Sequence, residues 1–466
     1  MQLQYQELYS LIESGLRQCD QQKKPVLISH VAGLDSIDPL AFFFAAETRK
    51  EKEIAYWADA DEKFIMVGVG SVYAIKVEDS GTDRFARIET EWASIVANSV
   101  RSSPCDVPQT GLVLLGGGSF DPIKPQSERW RNFANAEFHL PRLLLTQKDN
   151  EAWITMNFLL QGSENPVDLT KKLLAECERF LTKGEYRLSA RENSFAIEEI
   201  DVERWKPMVE CVVKSICDGE IEKVVLAREL YLQSEAPISI ADILFRLHAG
   251  QPGSYIFAFM HRGACLVGAS PERLIKRRNE EYYSTCLAGS IKRGKNPAED
   301  ERLGRELLND KKNRYEQNLV VRMLSEKLKK YCEPLEIPAE PHLKQLKNIY
   351  HLCTPLKGKA RPGISIFTVL ADLHPSPALG GFPQQEAMRK IREEEHLDRG
   401  WYGGPIGWVN ADGSGEFIVA IRCGLVRQKE AFLFAGCGIV EDSDPMSEYE
   451  ETQIKFQPML SALGGS

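Results

Sequence analysis

The stretch GPIGWVNADGSGEFIVAIRCGLVRQKEAFLFAGCGIV, from Gly404 to Val440, decides the fold class. Its apolar runs are interrupted by two short polar segments, NADGSG and RQKE. Strands joined by so few residues pair antiparallel, because a parallel crossover needs about a dozen residues or more. The stretch therefore predicts antiparallel sheet.

Strand-like runs of the same kind occur upstream, for example at KVVLARELYLQ (Lys223–Gln233), and helical patterns separate them. Helices are predicted at three places: Val202–Glu220, Glu301–Lys330 and Gln384–Glu395. We therefore expect an α/β (α+β) protein with large antiparallel sheets flanked by helices. A charged, irregular segment suggests a boundary near residue 195, with an N-terminal lobe at 1–195 and a second region at 196–466.

Composition limits the partners of the chain. It has 466 residues, 43% of them hydrophobic, and a net charge of −9, which argues against a nucleic-acid surface because phosphate binding draws on clustered Lys and Arg. No apolar run approaches the roughly 20 residues of a membrane helix, and the N-terminus does not resemble a signal segment. We expect a cytoplasmic enzyme that binds a small molecule and no membrane.

Two charged residues fall in phase with apolar neighbours. Glu316 precedes Leu319, Val320, Met323 and Leu324 on one helical stripe, so it points toward the core, where a carboxylate is costly unless it is paired, protonated or bound to a cation. Lys223 alternates in phase with Val225 and Ala227 on a strand. A buried lysine can serve as a base near neutral pH, although its position at the start of the strand also allows the amine to reach solvent.

Two further acidic sites follow. Glu272, in GASPERL, comes directly after an apolar strand, which alone is a weak signal. In MSEYEETQIK, Ser447 and Glu450 fit a helix-starting capping box, whereas Glu448, Glu451 and Lys455 share one face. Carboxylates from separate helices, without a His or Cys cluster, are the ligand set of a hard cation, and Mg²⁺ fits best.

Nine motifs together resemble, in order and spacing, the chorismate-binding enzymes over roughly residues 196–461. They are LVGASPERL, CLAGSIKRG, NRYEQNL, IYHLCTPLKGK, LHPSPALGGFP, YGGPIGW, AIRCG, FAGCGIV and SEYEETQIK. The resemblance implies the two-lobed chorismate-utilising fold and Mg²⁺-dependent conversion of chorismate. A homologue that only binds chorismate would not need a base, an acid and metal ligands together. Because all of these are present, we do not expect a binding-only function.

The resemblance also implies which nucleophile is used. Ammonia-using members generally carry Gln at the position of Lys223, and Ala378 and Leu379 in PALGGFP look like the members that form isochorismate. We therefore expect an isomerase that adds water at C2 and releases the C4 hydroxyl, reversibly, without a glutamine amidotransferase partner and as a monomer. The length of the chain is more similar to the menaquinone-pathway members than to the siderophore-pathway ones, and the alternatives are a salicylate synthase or a siderophore-pathway isochorismate synthase.

Carried over position by position, the resemblance makes Lys223 the general base and Glu272 the general acid. Glu316 and Glu451 become direct Mg²⁺ ligands, and Glu448 acts through water. The expected substrate-binding positions are Arg422, Lys455, the backbone at Gly289 and Gly436, His351, Tyr402, Ala378 and Leu379. Three residues depart from the common pattern of the family, so the sequence does not decide which side chains surround the metal ligands. They are Asn313, Tyr315 and Glu450.

Overall fold

The computed structural model describes residues 5–60, 63–102, 107–181, 184–189, 194–347 and 349–464. The helices are α1 Tyr5–Gln22, α2 Pro39–Thr48, α3 Arg84–Ala97, α4 Pro166–Glu178, α5 Val202–Cys217, α6 Ile240–Gly250, α7 Pro297–Asn309, α8 Lys311–Leu328, α9 Ile366–Leu373, α10 Gln384–Glu394 and α11 Pro445–Leu463. The strands of the N-terminal part are β1 Val26–Leu34, β2 Glu53–Ala58, β3 Phe64–Val69, β4 Tyr73–Val77, β5 Ser99–Arg101, β6 Val113–Gly118, β7 Ala136–Leu140, β8 Leu143–Lys148 and β9 Glu151–Leu160. The strands that follow are β10 Phe195–Glu199, β11 Lys223–Ser234, β12 Tyr255–His261, β13 Ala264–Ser270, β14 Arg273–Arg278, β15 Glu281–Lys292, β16 Cys332–Glu336, β17 His342–Gln345, β18 Ile349–Ala360, β19 Gly381–Phe382, β20 Pro405–Asn410, β21 Gly415–Val419, β22 Cys423–Arg427 and β23 Glu430–Ile439.

The strands of the described residues form two large sheets. Sheet A has the order β10-β11-β23-β22-β13-β12-β2-β3-β8-β9-β1-β5, with β19 added beside β11. Sheet B has the order β16-β18-β15-β14-β21-β20-β6-β7-β4, with β17 added beside β18. The pairings are antiparallel except that of β1 with β5. The prediction of large antiparallel sheets flanked by helices is confirmed.

The stretch Gly404–Val440 contributes one hairpin to each sheet. Strands β20 and β21 pair in sheet B around the predicted turn NADGSG, whereas β22 and β23 pair in sheet A around RQKE. Residues 420–422 carry the chain from one sheet to the other. Pro271 and Glu272 do the same between β13 of sheet A and β14 of sheet B. Both crossings bring polar residues between the sheets.

Two details of the helices correct the sequence analysis. The block expected over 301–330 is two helices, because Asp310 ends α7 and caps α8 by accepting a hydrogen bond from the Asn313 amide at 2.8 Å. The capping box expected at Ser447 is wrong. Asp444 is the N-cap of α11 and accepts from the Ser447 amide at 2.9 Å, because Pro445 already suits the first helical position.

Each sheet contains strands from both sides of residue 195. In sheet A, for example, β12 pairs with β2, and in sheet B, β20 pairs with β6. Hydrophobic core clusters likewise combine residues from both sides, such as Leu8 with Phe456. Division of the chain into a lobe at 1–195 and a region at 196–466 stays a prediction. Among the described helices, none has the length and apolar character that crossing a membrane requires.

Candidate active site

A cavity of about 260 Å³ lies between the two sheets, beside α8 and α11. All the site residues expected from the sequence line it: Lys223, Glu272, Gly289, Glu316, His351, Ala378, Leu379, Tyr402, Arg422, Gly436, Glu448, Glu451 and Lys455. The fold therefore gathers residues from strands, crossings and helices that are far apart in sequence. Their individual roles stay predictions.

Lys223 is buried at the start of β11 and does not extend to solvent. Its Nζ donates a hydrogen bond to Glu316 Oε1 at 2.6 Å, and the Glu316 side chain is 20% exposed. Glu316 is thus in an ion pair, as one interpretation of its sequence held, but its partner lies in the same cavity. Gly438 gives this pair room, because a Cβ there would lie 2.7 Å from Lys223 Cε and 3.0 Å from Glu316 Oε1.

Glu272 is buried in the crossing between β13 and β14. Burial raises the pKa of Glu272 to about 7, although the charges of Lys223, Lys455, Lys344 and Arg422 oppose the rise. A carboxyl with a pKa near neutrality is protonated in a large fraction of molecules and can still release its proton. Glu272 is therefore suited to general acid chemistry.

Two cations and a neutral imidazole face the same space. Arg422 lies in the crossing between β21 and β22 with a left-handed φ of 51° and is buried. Lys455 Nζ donates to the Gly436 carbonyl at 2.8 Å and pairs with Glu451 Oε1 at 2.6 Å. Burial and the charges of Arg422 and Lys455 hold the pKa of His351 well below its usual value, so this imidazole is neutral. The side of the cavity near Arg422 suits an anion.

Three glutamates supply carboxylate oxygens from two helices, Glu316 from α8 and Glu448 and Glu451 from α11. Burial and the charge of Glu451 raise the pKa of Glu448, whose Oε1 accepts from Ser443 Oγ at 2.7 Å. Burial alone would raise the pKa of Glu451, but Lys455 and Arg422 hold it below its usual value. A divalent cation would offset the repulsion that raises the pKa of Glu448. The three glutamates supply the oxygen ligands that Mg²⁺ prefers, but Glu316 and Glu451 are each paired with a lysine, and the three do not form one of the close ligand groups of the described residues.

A different group of side chains could also hold a metal ion. Ligand atoms of Glu53, Glu137, His139 and His261 lie within 4.8 Å of one another. These residues do not line the cavity. Glu137 already receives Lys76 Nζ at 2.6 Å and His139 Nε2 at 2.9 Å, and His261 Nδ1 lies 2.6 Å from Glu53. Because its charges pair with one another across the two sheets, we interpret this group, with Lys76, as an ion network.

The sequence analysis missed some residues of the cavity and left others open. Lys312 lines it one turn before Glu316 on α8, and that spacing of four residues was the available signal. Asn313, one of the departures, also lines it and accepts a hydrogen bond from the Ser290 amide at 3.2 Å, which holds the bulge of β15 at Gly289. Tyr315 and Glu450 are exposed.

Comparisons with known proteins show the family to which the chain belongs. A family model described as "Chorismate binding enzyme" matches residues 14–464. Isochorismate synthase MenF of Bacillus subtilis strain 168 is 40% identical over 454 residues, which cover 97% of this chain and 96% of the relative. The salicylate biosynthesis isochorismate synthase of Pseudomonas aeruginosa is 35% identical over 463 residues, which cover 98% and 95%. The solved structure of MenF, the menaquinone-specific isochorismate synthase from Escherichia coli, matches with a TM-score of 0.77 at 22% identity and covers 97% of this chain and 100% of that one.

Proposed function

Because the chain belongs to the chorismate-binding enzyme family, we propose that it is an isochorismate synthase, an isomerase that converts chorismate to isochorismate. The observation that carries the proposal is the presence of a buried lysine and a buried carboxyl of raised pKa in the lining of one cavity. Lys223 and Glu272 both line that cavity, and the pKa of Glu272 is raised to about 7. The chain is 40% identical to MenF of Bacillus subtilis and 35% identical to the salicylate biosynthesis relative, each over almost the whole length, and MenF of Escherichia coli is menaquinone-specific, which supports a role in menaquinone synthesis.

Arg422 and Lys455 would bind the carboxylates of the substrate. Chorismate carries two of these, and the chain as a whole is acidic, so local cations must offset the repulsion. Both side chains line the cavity, and the nearby imidazole of His351 is neutral and able to donate or accept a hydrogen bond. Tyr402, Ala378 and Leu379 complete the wall against which the ring would lie.

Lys223 and Glu272 would move the two protons of the reaction. For Lys223 to act as the base, its ammonium must first leave its ion pair with Glu316 and give up a proton; its amine would then take a proton from a water molecule as that water attacks C2 of the ring. Glu272 gives its proton to the C4 hydroxyl, which leaves as water while the ring double bonds shift. One water enters and one leaves, so the net reaction is an isomerisation. A positioned acid and base each contribute about 10²- to 10⁴-fold to such a rate.

Mg²⁺ is the metal that we propose for the glutamates of the cavity. Glu316 and Glu451 would be its direct ligands and Glu448 would hold it through water, since Mg²⁺ usually takes one or two protein carboxylates and keeps several waters. When bound, the ion acts as a Lewis acid that withdraws charge from a substrate carboxylate. A cytoplasmic location, a monomeric state and the lack of an amidotransferase partner stay predictions.

The test is product formation from chorismate. Purified protein is incubated with chorismate and Mg²⁺, with and without EDTA, and the products are separated by chromatography. We expect isochorismate with Mg²⁺, none with EDTA, and none from a Lys223→Ala variant. Absence of isochorismate would overturn the proposal, and accumulation of salicylate and pyruvate would favour the alternative of a salicylate synthase.

A further inference from the structure

One edge of β11 lacks a strand partner over a short distance in the described residues. Strand β19 pairs with Lys223 and Val224, and β10 pairs with β11 only from Leu230 onward. Between these partners, the Val225 amide donates to the Gly380 carbonyl at 2.9 Å, whereas the Val225 carbonyl and the Ala227 amide face the open edge. Buried backbone groups of this kind need hydrogen-bond partners from elsewhere.

The side chains of Glu395 and Arg399 supply these partners. Arg399 Nη2 donates to the Val225 carbonyl at 2.7 Å, and Glu395 Oε1 accepts from the Ala227 amide at 2.7 Å. The two side chains are 1% and 3% exposed, and Arg399 Nε donates to Glu395 Oε2 at 2.9 Å. The guanidinium also stacks on the ring of Phe120, 4.3 Å from its centre. The pair therefore takes the place of a neighbouring strand.

Arg399 also holds the opposite wall of the cavity. Its Nη1 donates to the Leu379 carbonyl at 3.0 Å, and its own carbonyl accepts from the Tyr402 amide at 2.9 Å. Val225, Leu379 and Tyr402 all line the cavity, whereas Glu395 and Arg399 do not. One guanidinium thus connects the strand of Lys223 with the wall formed by Leu379.

We infer that Glu395 and Arg399 are positioning residues that set the distance between Lys223 and the wall at Leu379. The inference rests on the proposed function, in which a water must lie between Lys223 and the ring. A displacement of about 1 Å can cost about 10²-fold in rate. Lysine cannot replace Arg399, because a single ammonium cannot reproduce the fixed fork of a guanidinium that reaches two carbonyls and a carboxylate.

The test compares steady-state kinetics of the wild type and Arg399→Lys at a temperature where both are folded. We expect kcat to fall about tenfold or more, because the water is misplaced. We expect KM for chorismate to change less than about threefold, because Arg422 and Lys455 are held by other elements. A purely structural role would lower the folded fraction and would leave kcat per folded molecule unchanged.

Arg392→Lys is the control for the loss of a guanidinium fork outside the cavity lining. Arg392, on α10, forms another fork, with Asp121 at 2.5 and 3.0 Å, but does not line the cavity. We expect it to lose thermal stability without losing kcat. If Arg399→Lys does not fold, Glu395→Gln keeps an acceptor for the Ala227 amide and should show a smaller loss of kcat with the same unchanged KM.

The outcomes separate the two claims. A wild type that forms no isochorismate overturns the proposed function and this inference with it. If the wild type is active, two results overturn the inference alone. One is that Arg399→Lys keeps the wild-type kcat, and the other is that Arg392→Lys loses as much kcat as Arg399→Lys. A loss of kcat confined to Arg399→Lys and Glu395→Gln supports it.

Discussion

Two groups of buried charges lie between the same two sheets, and they differ in how their carboxylates are satisfied. In the ion network, the buried carboxylate of Glu137 forms a salt bridge with Lys76 and accepts hydrogen bonds from His139 and from the Ala134 amide. In the cavity, the carboxyl of Glu272 accepts no hydrogen bond from the described residues, and cations act on it only from a distance. The first arrangement satisfies its charges within the protein, whereas the second leaves capacity for a substrate.

The pKa values reflect this difference. Burial alone would raise the pKa of Glu137, but the hydrogen bond from His139 and the contact with Lys76 hold it well below its usual value. Burial raises the pKa of Glu272 to about 7 against the opposing cations. Burial thus has opposite net results in the two groups, because direct partners compensate it in one and not in the other. A buried carboxyl without direct partners is therefore a better indicator of a functional site than a buried carboxyl that is fully paired.

The largest expected effect is that of Glu451→Gln, which breaks the charge balance of the cavity. It removes a proposed ligand of Mg²⁺ and releases Lys455, whose Nζ lies 2.6 Å from Glu451. We expect Mg²⁺-dependent turnover to fall to background in initial-rate measurements over a range of Mg²⁺ concentrations. Glu450→Gln is the control, because Glu450 is exposed on the same helix and should leave turnover intact. Equal rates for the two variants would contradict the metal assignment.

Glu272→Gln follows in size. Gln cannot donate the proton of an acid, so we expect kcat to fall about 10²- to 10⁴-fold. In the wild type, activity that needs protonated Glu272 should decrease as pH rises through about 7, the pKa of this group. The variant should lose that decrease. A pH profile of kcat/KM measured on both proteins decides the point, and an unchanged alkaline limb in the variant would assign the limb to another group.

Much of this arrangement follows from local sequence. The turns NADGSG and RQKE predicted the two hairpins, and period-two alternation correctly indicated the buried Lys223. The wall residues Ala378 and Leu379 entered through the family resemblance, and they do line the cavity. The turns and the alternation are signals within about a dozen residues, the range over which periodicity and turn chemistry act, whereas Ala378 and Leu379 needed the family pattern.

Other features have no local signal. Arg422 marks the crossing between sheets, yet it lies in the continuous run FIVAIRCGL, which looks the same whether the chain stays in one sheet or changes. The ion network joins Glu53, Glu137 and His261, whose partners are set by the order of strands rather than by spacing. At α11, Ser447 was the expected cap, whereas Asp444 caps the helix, because Pro445 favours the first helical position. Tertiary placement decides such cases.

The smallest effect on activity is expected for Glu137→Gln, because Glu137 belongs to the ion network and not to the cavity. Because Glu137 is fully buried against Lys76, which is 27% exposed, the variant should lose about 2 kcal/mol of unfolding free energy in urea while kcat stays within about twofold. The lowered pKa of Glu137 means that its contribution is present above about pH 4.5 and is lost as pH falls below it.

Glu272 should show the opposite sign. Its raised pKa means that the folded state holds the proton more tightly than the unfolded chain, so the wild type loses stability as pH rises from about 4.5 to 7. A shift of this size corresponds to about 3 kcal/mol by pH 8, and Glu272→Gln should regain most of it. Unfolding in urea at pH 4 and pH 8 therefore separates the two groups. Glu137→Gln should be less stable than the wild type at both pH values, because the pKa of Glu137 in the folded state lies well below its usual value, whereas Glu272→Gln should be more stable than the wild type only at pH 8. If both variants lost stability at pH 8, Glu272 would belong with the satisfied carboxylates and the cavity would have no carboxyl poised to donate a proton.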